Sequence, residues 1–129
     1  MPELSTASLR LLATCHADMQ AICHDAIKIY DFTILCGHRG RVLQDKLFAS
    51  GASKLKYPNS KHNSNPSLAI DIAPYPIDWQ DTTRFYYLAG IIKCLAHGNN
   101  ISLRWGGDWD CDSDFADQSF NDLVHFELV

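Results

Sequence analysis

Leu68-Ala69-Ile70-Asp71-Ile72-Ala73-Pro74 is the stretch on which the fold turns. Its apolar, partly β-branched run reads as a strand, and Pro74 and Pro76 end it. One inward position is a carboxylate, and burying Asp71 without a partner is expensive. A salt bridge to Arg39 or Arg104 is one answer, and a metal ion is another. Upstream, residues 51–67 are polar and turn-rich, with Lys54, Lys56, Pro58, Asn59, Ser60, Asn63, Asn65 and Pro66. Such a long loop in a small domain is often functional. Before it, residues 41–50 read as a short helix ended by Gly51. Gly37 and Gly40 bracket His38-Arg39 in a turn, and Asp31–Cys36 reads as a strand.

Residues 5–30 read as one helix with Ser5 or Ser8 as its cap. Leu12, Cys15, Met19, Ile22, Ala26 and Ile29 recur at steps of three and four on one face. Downstream of Asp71, Asp78 is placed to cap a helix over 79–97, with Phe85, Leu88, Ala89, Ile92, Leu95 and Ala96 as its stripe and Gly98 as its stop. Ile101–Trp105 reads as a third strand, 106–121 as an acidic loop, and Val124–Leu128 as a closing strand. This order predicts an α+β fold: a small, mostly antiparallel sheet with helices packed on it, in one domain spanning 1–129.

The bulk numbers exclude several classes. An apolar share of 47% is too high for disorder, and no apolar run approaches the ~20 residues of a membrane helix. A net charge of −4 argues against nucleic acid as the main partner and offers no polybasic patch for a membrane surface. The first residues, with Glu3 and Asp18, lack the basic-then-apolar pattern of a secretion signal, so a cytoplasmic start is expected. The five cysteines show no Cys-x-x-Cys spacing and read as buried thiols.

Three residues on or beside strands offer metal ligands: His62, Asp71 and His125. Two imidazoles and a carboxylate supply three zinc ligands and leave a fourth place for water. Zinc lowers the pKa of such a water toward ~7, and a nearby carboxylate must then take its proton. Asp122, three residues before His125, is the candidate base. Spacing alone is a weak signal here, because the chain has six histidines and no His-Glu-x-x-His helix.

Ser60-Lys61-His62, Ala69-Ile70-Asp71-Ile72-Ala73-Pro74 and the terminal Asp122-Leu123-Val124-His125-Phe126-Glu127-Leu128-Val129 together resemble the zinc D-Ala-D-Ala carboxypeptidase/dipeptidase superfamily. Within it the chain is most similar to phage endolysins of the L-alanyl-D-glutamate endopeptidase type. Tyr30-Asp31-Phe32-Thr33-Ile34, the turn with Arg39, Ile77-Asp78-Trp79 and Leu103-Arg104-Trp105-Gly106-Gly107-Asp108-Trp109 fall where that family has similar segments. The resemblance implies a zinc D,D-peptidase/Hedgehog-like fold, zinc bound by His62, Asp71 and His125, Asp122 as general base, and Arg39 bracing the oxyanion. The spacer departs from the family: residues 63–70 are longer than usual and lack its glycine, so a loop bulging beside the metal is expected.

Ser60, Glu127, His38 and Trp109 are further candidates to orient a ligand or touch substrate, Glu127 with a surface salt bridge as its alternative. His16 and His24 neighbour cysteines on the first helix, where adjacent residues diverge too far to share an ion. Asp108, Asp110, Asp112 and Asp114 alternate like the start of a calcium loop, though without its glycine or closing Glu. Taken together, the resemblance implies a monomeric phage endolysin. It would cleave the L-alanyl-D-glutamate bond of bacterial peptidoglycan, accumulate in the host cytoplasm and reach the wall after release by a holin-type protein. A D,D-carboxypeptidase or dipeptidase with the same site, and a non-catalytic zinc-containing wall-binding module, stay open as alternatives.

Overall fold

Ser5 opens the first helix as expected: its Oγ accepts the Ser8 amide at 3.1 Å, a cap worth about 1 kcal/mol. In the computed structural model, which describes residues 2–118 and 120–129, the predicted long helix is nevertheless two. Helix α1 spans Thr6–Leu12 and α2 spans Ala17–Ala26. Side-chain chemistry at the break competes with the helix. Thr14 Oγ1 donates to the Leu11 carbonyl at 2.6 Å and accepts the His38 amide at 2.9 Å. Cys15 forms a bridge with Ser67, and His16 Nδ1 accepts the Asp18 amide at 3.0 Å to start α2. The apolar stripe survives the break except at Ile29, which is 57% exposed.

Strand β1 spans Phe32–Cys36, α3 Arg41–Ala49, a 3-10 turn Lys61–Asn63, and β2 Ala69–Pro74. Helix α4 spans Thr82–Gly98, β3 Leu103–Trp105 and β4 His125–Leu128. Asp78 does not cap α4; its Oδ1 accepts the Gln80 amide in a turn, and Asp81 precedes the helix. Gly98 lies inside the last turn, and the chain leaves through Asn100 in the left-handed region, which Asn tolerates.

The strand order is β1-β2-β4-β3, and every pair is antiparallel. Side chains alternate across the sheet. Ile70, Ile72, Phe126, Leu103 and Trp105 join Leu12, Met19, Ile22, Leu88 and Ile92 in one apolar core. Each fully buried aliphatic side chain there contributes about 1.5–3 kcal/mol. The alternate positions Asp71, His125 and Glu127 lie between these on β2 and β4 and line a cleft. That alternation is what positions the candidate site. Among the described residues no helix is long and apolar enough to cross a membrane.

Candidate metal centre and cleft

Pairing of β2 with β4 sets Asp71 opposite His125. His62 arrives from the 3-10 turn, where Ser60 Oγ accepts its amide at 3.2 Å and Asn63 Oδ1 accepts the Ser60 amide at 3.0 Å. His62 Nε2 and His125 Nδ1 each stand 3.2 Å from Asp71 Oδ1, and the imidazole centroids are 5.1 Å apart. The far nitrogens are committed. His62 Nδ1 donates to the Gly37 carbonyl at 2.8 Å, and His125 Nε2 donates to Glu127 Oε1 at 2.8 Å. In neutral imidazoles this leaves two nitrogen lone pairs and a carboxylate oxygen converging with no proton between them. That donor set fits a divalent cation.

Without a cation, protons do the same work. Burial opposes charge on His62, but its bonds to Asp71 and Cys36 outweigh it and raise its pKa from 6.5 to about 9. Burial likewise opposes charge on His125, and Asp71 and Glu127 raise its pKa above 6.5. Burial pushes the Asp71 carboxyl up, yet the two histidines hold it well below the usual carboxylate range. Glu127 is only 9% exposed. Burial raises its pKa, but His125, Lys61 and Arg104 win and lower it. Its Oε2 stands 3.4 Å from Arg104 and 3.8 Å from Lys61, so it is both the orienting partner of His125 and an ion pair.

Arg39 Nη2 lies 3.5 Å from Asp71 Oδ2, and Nη1 donates to Gln44 Oε1 at 3.1 Å. Its Nε is buried without a partner among the described residues. Asp71 thus turns Oδ2 to the guanidinium and Oδ1 to the two imidazoles. Asp122 lines the same cleft; burial, then the nearby Asp71 charge, raises its pKa above 3.8. Gly106 ties this corner together. Its amide donates to the His125 carbonyl at 2.8 Å, and its carbonyl accepts the Asp122 amide at 2.9 Å. A Cβ on Gly106 would collide with the Asp122 carbonyl, so glycine permits the close return.

The cleft has a volume of about 400 Å³ and is walled by Leu47, residues 52–55, Trp109 and Phe120 around His62, Asp71 and His125. Trp109 stacks on Phe120, lies 5.4 Å from the His125 ring and donates Nε1–H to the Phe120 carbonyl at 2.7 Å. Ser60 lines the cleft, but His38 does not: its Nδ1 meets the Ser64 carbonyl at 2.9 Å. The long spacer does not bulge into the cleft either. Ser67 exchanges backbone bonds with Thr14 and His16, which carries the extra residues to the α1–α2 break.

Sequence reading passed over Cys36. It is half-buried, not a core thiol, and Cys94 and Cys111 are exposed; only Cys15 and Cys23 are buried. Donor atoms of Cys36, His62 and Asp71 all lie within 4.8 Å of one another. The available signal was its place at the end of β1, just before the Gly37-His38-Arg39 turn.

In the acidic loop, Asp108, Asp110 and Asp112 also gather their oxygens within 4.8 Å; Asp114 falls outside that group. Asp108 accepts the Asp112 and Ser113 amides at 3.2 and 3.0 Å, and Asp114 accepts the Ala116 amide at 3.0 Å.

The fold and the cleft define a class, a small α+β domain with a candidate metal centre above an antiparallel sheet. Its architecture matches the crystal structure of Serratia marcescens L-Ala D-Glu endopeptidase ChiX with a TM-score of 0.78, covering 99% of this chain and 91% of that one at 22% identity. The family described as phage L-alanyl-D-glutamate peptidase matches residues 2–129. The L-alanyl-D-glutamate peptidase of Escherichia phage T5 is 35% identical over 131 residues, 95% of this chain and 94% of that protein. The chain belongs to the phage L-alanyl-D-glutamate peptidase family.

Proposed function

We propose that this protein is a phage endolysin that hydrolyses the L-alanyl-D-glutamate bond of peptidoglycan stem peptides, with zinc held by His62, Asp71 and His125. The observation that carries the metal reading is the convergence of His62 Nε2 and His125 Nδ1 on Asp71 Oδ1 while both far nitrogens donate elsewhere. Zinc in that place would supply Lewis-acid polarisation of the scissile carbonyl and a nucleophilic water near neutral pH. Asp122 accepts the proton of the attacking water and delivers it to the leaving amine of D-glutamate. Its partial burial suits that exchange by bringing its pKa up from 3.8. Arg39, held on Asp71, braces the negative charge that develops on the carbonyl oxygen. Glu127 and Gly37 keep the imidazoles in their ligating tautomers, and Ser60 fixes the turn that presents His62. Trp109 and Phe120 form the apolar wall against which a peptide lies.

The enzyme acts as a monomer on the bacterial wall. It accumulates in the host cytoplasm and reaches its substrate once a holin-type protein opens the membrane. Digestion of purified peptidoglycan, with mass spectrometry of the products, tests the bond. New D-glutamate N-termini are expected; release of free D-Ala would instead identify a D,D-carboxypeptidase or dipeptidase. A wall-binding module without turnover would leave the peptides intact.

A second reading concerns calcium at Asp108, Asp110 and Asp112. The favouring observation is three gathered carboxylates, an all-oxygen set that suits a hard cation. Calorimetric titration with calcium tests it, and absence of heat removes it.

A further inference from the structure

We propose that Cys36 is a fourth protein ligand of the metal, so that the resting centre carries sulfur beside its two imidazoles and carboxylate. The inference rests on the proposed His62, Asp71 and His125 site. Its own support is the sheet register. Cys36 pairs with Asp71 across β1 and β2, and Asp71 pairs with His125 across β2 and β4. The three residues therefore form one row across three adjacent strands. A register shift between Ile34 and Cys36 creates that row, and such bulges re-aim a side chain.

The distances agree. The Cys36, His62 and Asp71 donor atoms lie within 4.8 Å of one another. Donors around a tetrahedral zinc, bound at about 2.0–2.3 Å, stand roughly 3.3–3.8 Å apart, so a small side-chain adjustment brings these three to ligating distance; His125 falls outside that group and reaches the site through Asp71, 3.2 Å away. The sulfur is held only loosely otherwise, donating to the Gly37 carbonyl at 3.6 Å and accepting from Arg39 Nη2 at 3.7 Å. A catalytic zinc keeps one position open, so the sulfur would have to yield its place to the water that hydrolysis requires.

Cobalt(II) substitution reads the ligand directly. The cobalt form is expected to show a near-ultraviolet sulfur-to-metal charge-transfer band that Cys36→Ser lacks, while visible d–d bands persist in both. Visible bands without a sulfur band would overturn the inference and leave the three-ligand site standing. Failure to retain cobalt at all would sink the site itself. A sulfur band that survives Cys36→Ser would assign the ligand elsewhere and also overturn it. Should the variant fold poorly, the native chain decides. Zinc is expected to slow iodoacetamide alkylation of Cys36 by about tenfold or more while the exposed Cys94 and Cys111 react unchanged. Equal alkylation of Cys36 with and without zinc would overturn the proposal.

Discussion

Asp71 and Asp108 each anchor a cluster of potential metal ligands, and their oxygens are occupied differently. Asp71 sits on a central strand, facing two imidazoles and a guanidinium across neighbouring elements. Asp108 sits in a loop, and its oxygens accept amides only four and five residues away. The first cluster is assembled by the tertiary fold from residues distant in sequence and is buried. The second is assembled by local turns and is mostly open to water. Donor type follows the same division: nitrogen with oxygen on the sheet suits zinc, and oxygen alone in the loop suits calcium. A carboxylate cluster therefore has to be judged by what its lone pairs already touch, because proximity alone is common to both.

The largest test of this contrast removes the imidazoles. His125→Ala or His62→Ala is expected to abolish stoichiometric zinc and lower hydrolysis by more than about a thousandfold, since several kcal/mol of charge stabilisation are lost. Elemental analysis beside a wall-lysis assay reads both effects, and full activity in either variant would dissolve the distinction between the clusters. Asp122→Asn should cut kcat by about 10²–10⁴-fold with zinc content unchanged. Loss of zinc in that variant would make Asp122 a ligand and not a base.

The pH profile sharpens the same point. A proton acceptor must be ionised, so activity is present above the Asp122 pKa and falls as pH drops through it. Burial and Asp71 raise that pKa from 3.8, so the acid limb of kcat/KM should lie above 3.8 and vanish from the residual activity of Asp122→Asn. Arg39→Lys keeps the charge but loses the planar fork, and a fall of about ten- to a hundredfold in kcat is expected, with little change in KM. The smallest effect belongs to the loop. Calcium should raise the thermal midpoint of the native chain and not that of Asp110→Asn, with zinc content equal in both. A calcium response that persists in the variant would place the ion elsewhere.

Strand β2 and the roles proposed for His62, Asp71, His125 and Asp122 were legible because strand alternation and a motif series in fixed order leave marks in one dimension. The break between α1 and α2 was not legible. Its apolar stripe runs on unbroken to Ala26, and the interruption comes from Thr14, Cys15 and His16 bonding to Leu11, Ser67, His38 and Asp18. The start of α4 was misplaced because Asp78 and Asp81 are equally good caps by type, and Asp78 is taken up by its own turn. Cys36 was missed because a cysteine at a strand end reads as a small apolar residue until its neighbour across the sheet is known.

By itself the sequence determined which side chains alternate toward the core, which chemistry-bearing types exist, and the family to which their order belongs. Only the tertiary structure decided which nitrogen of each histidine is left to face Asp71, that Glu127 and Gly37 hold the other two, that His38 turns away, and that a register shift brings Cys36 into the row. The physical reason is range. Periodicity and caps act within a few residues along the chain, whereas ligand geometry depends on strand pairing between segments as far apart in the chain as Ala69 and Glu127, which no local preference encodes.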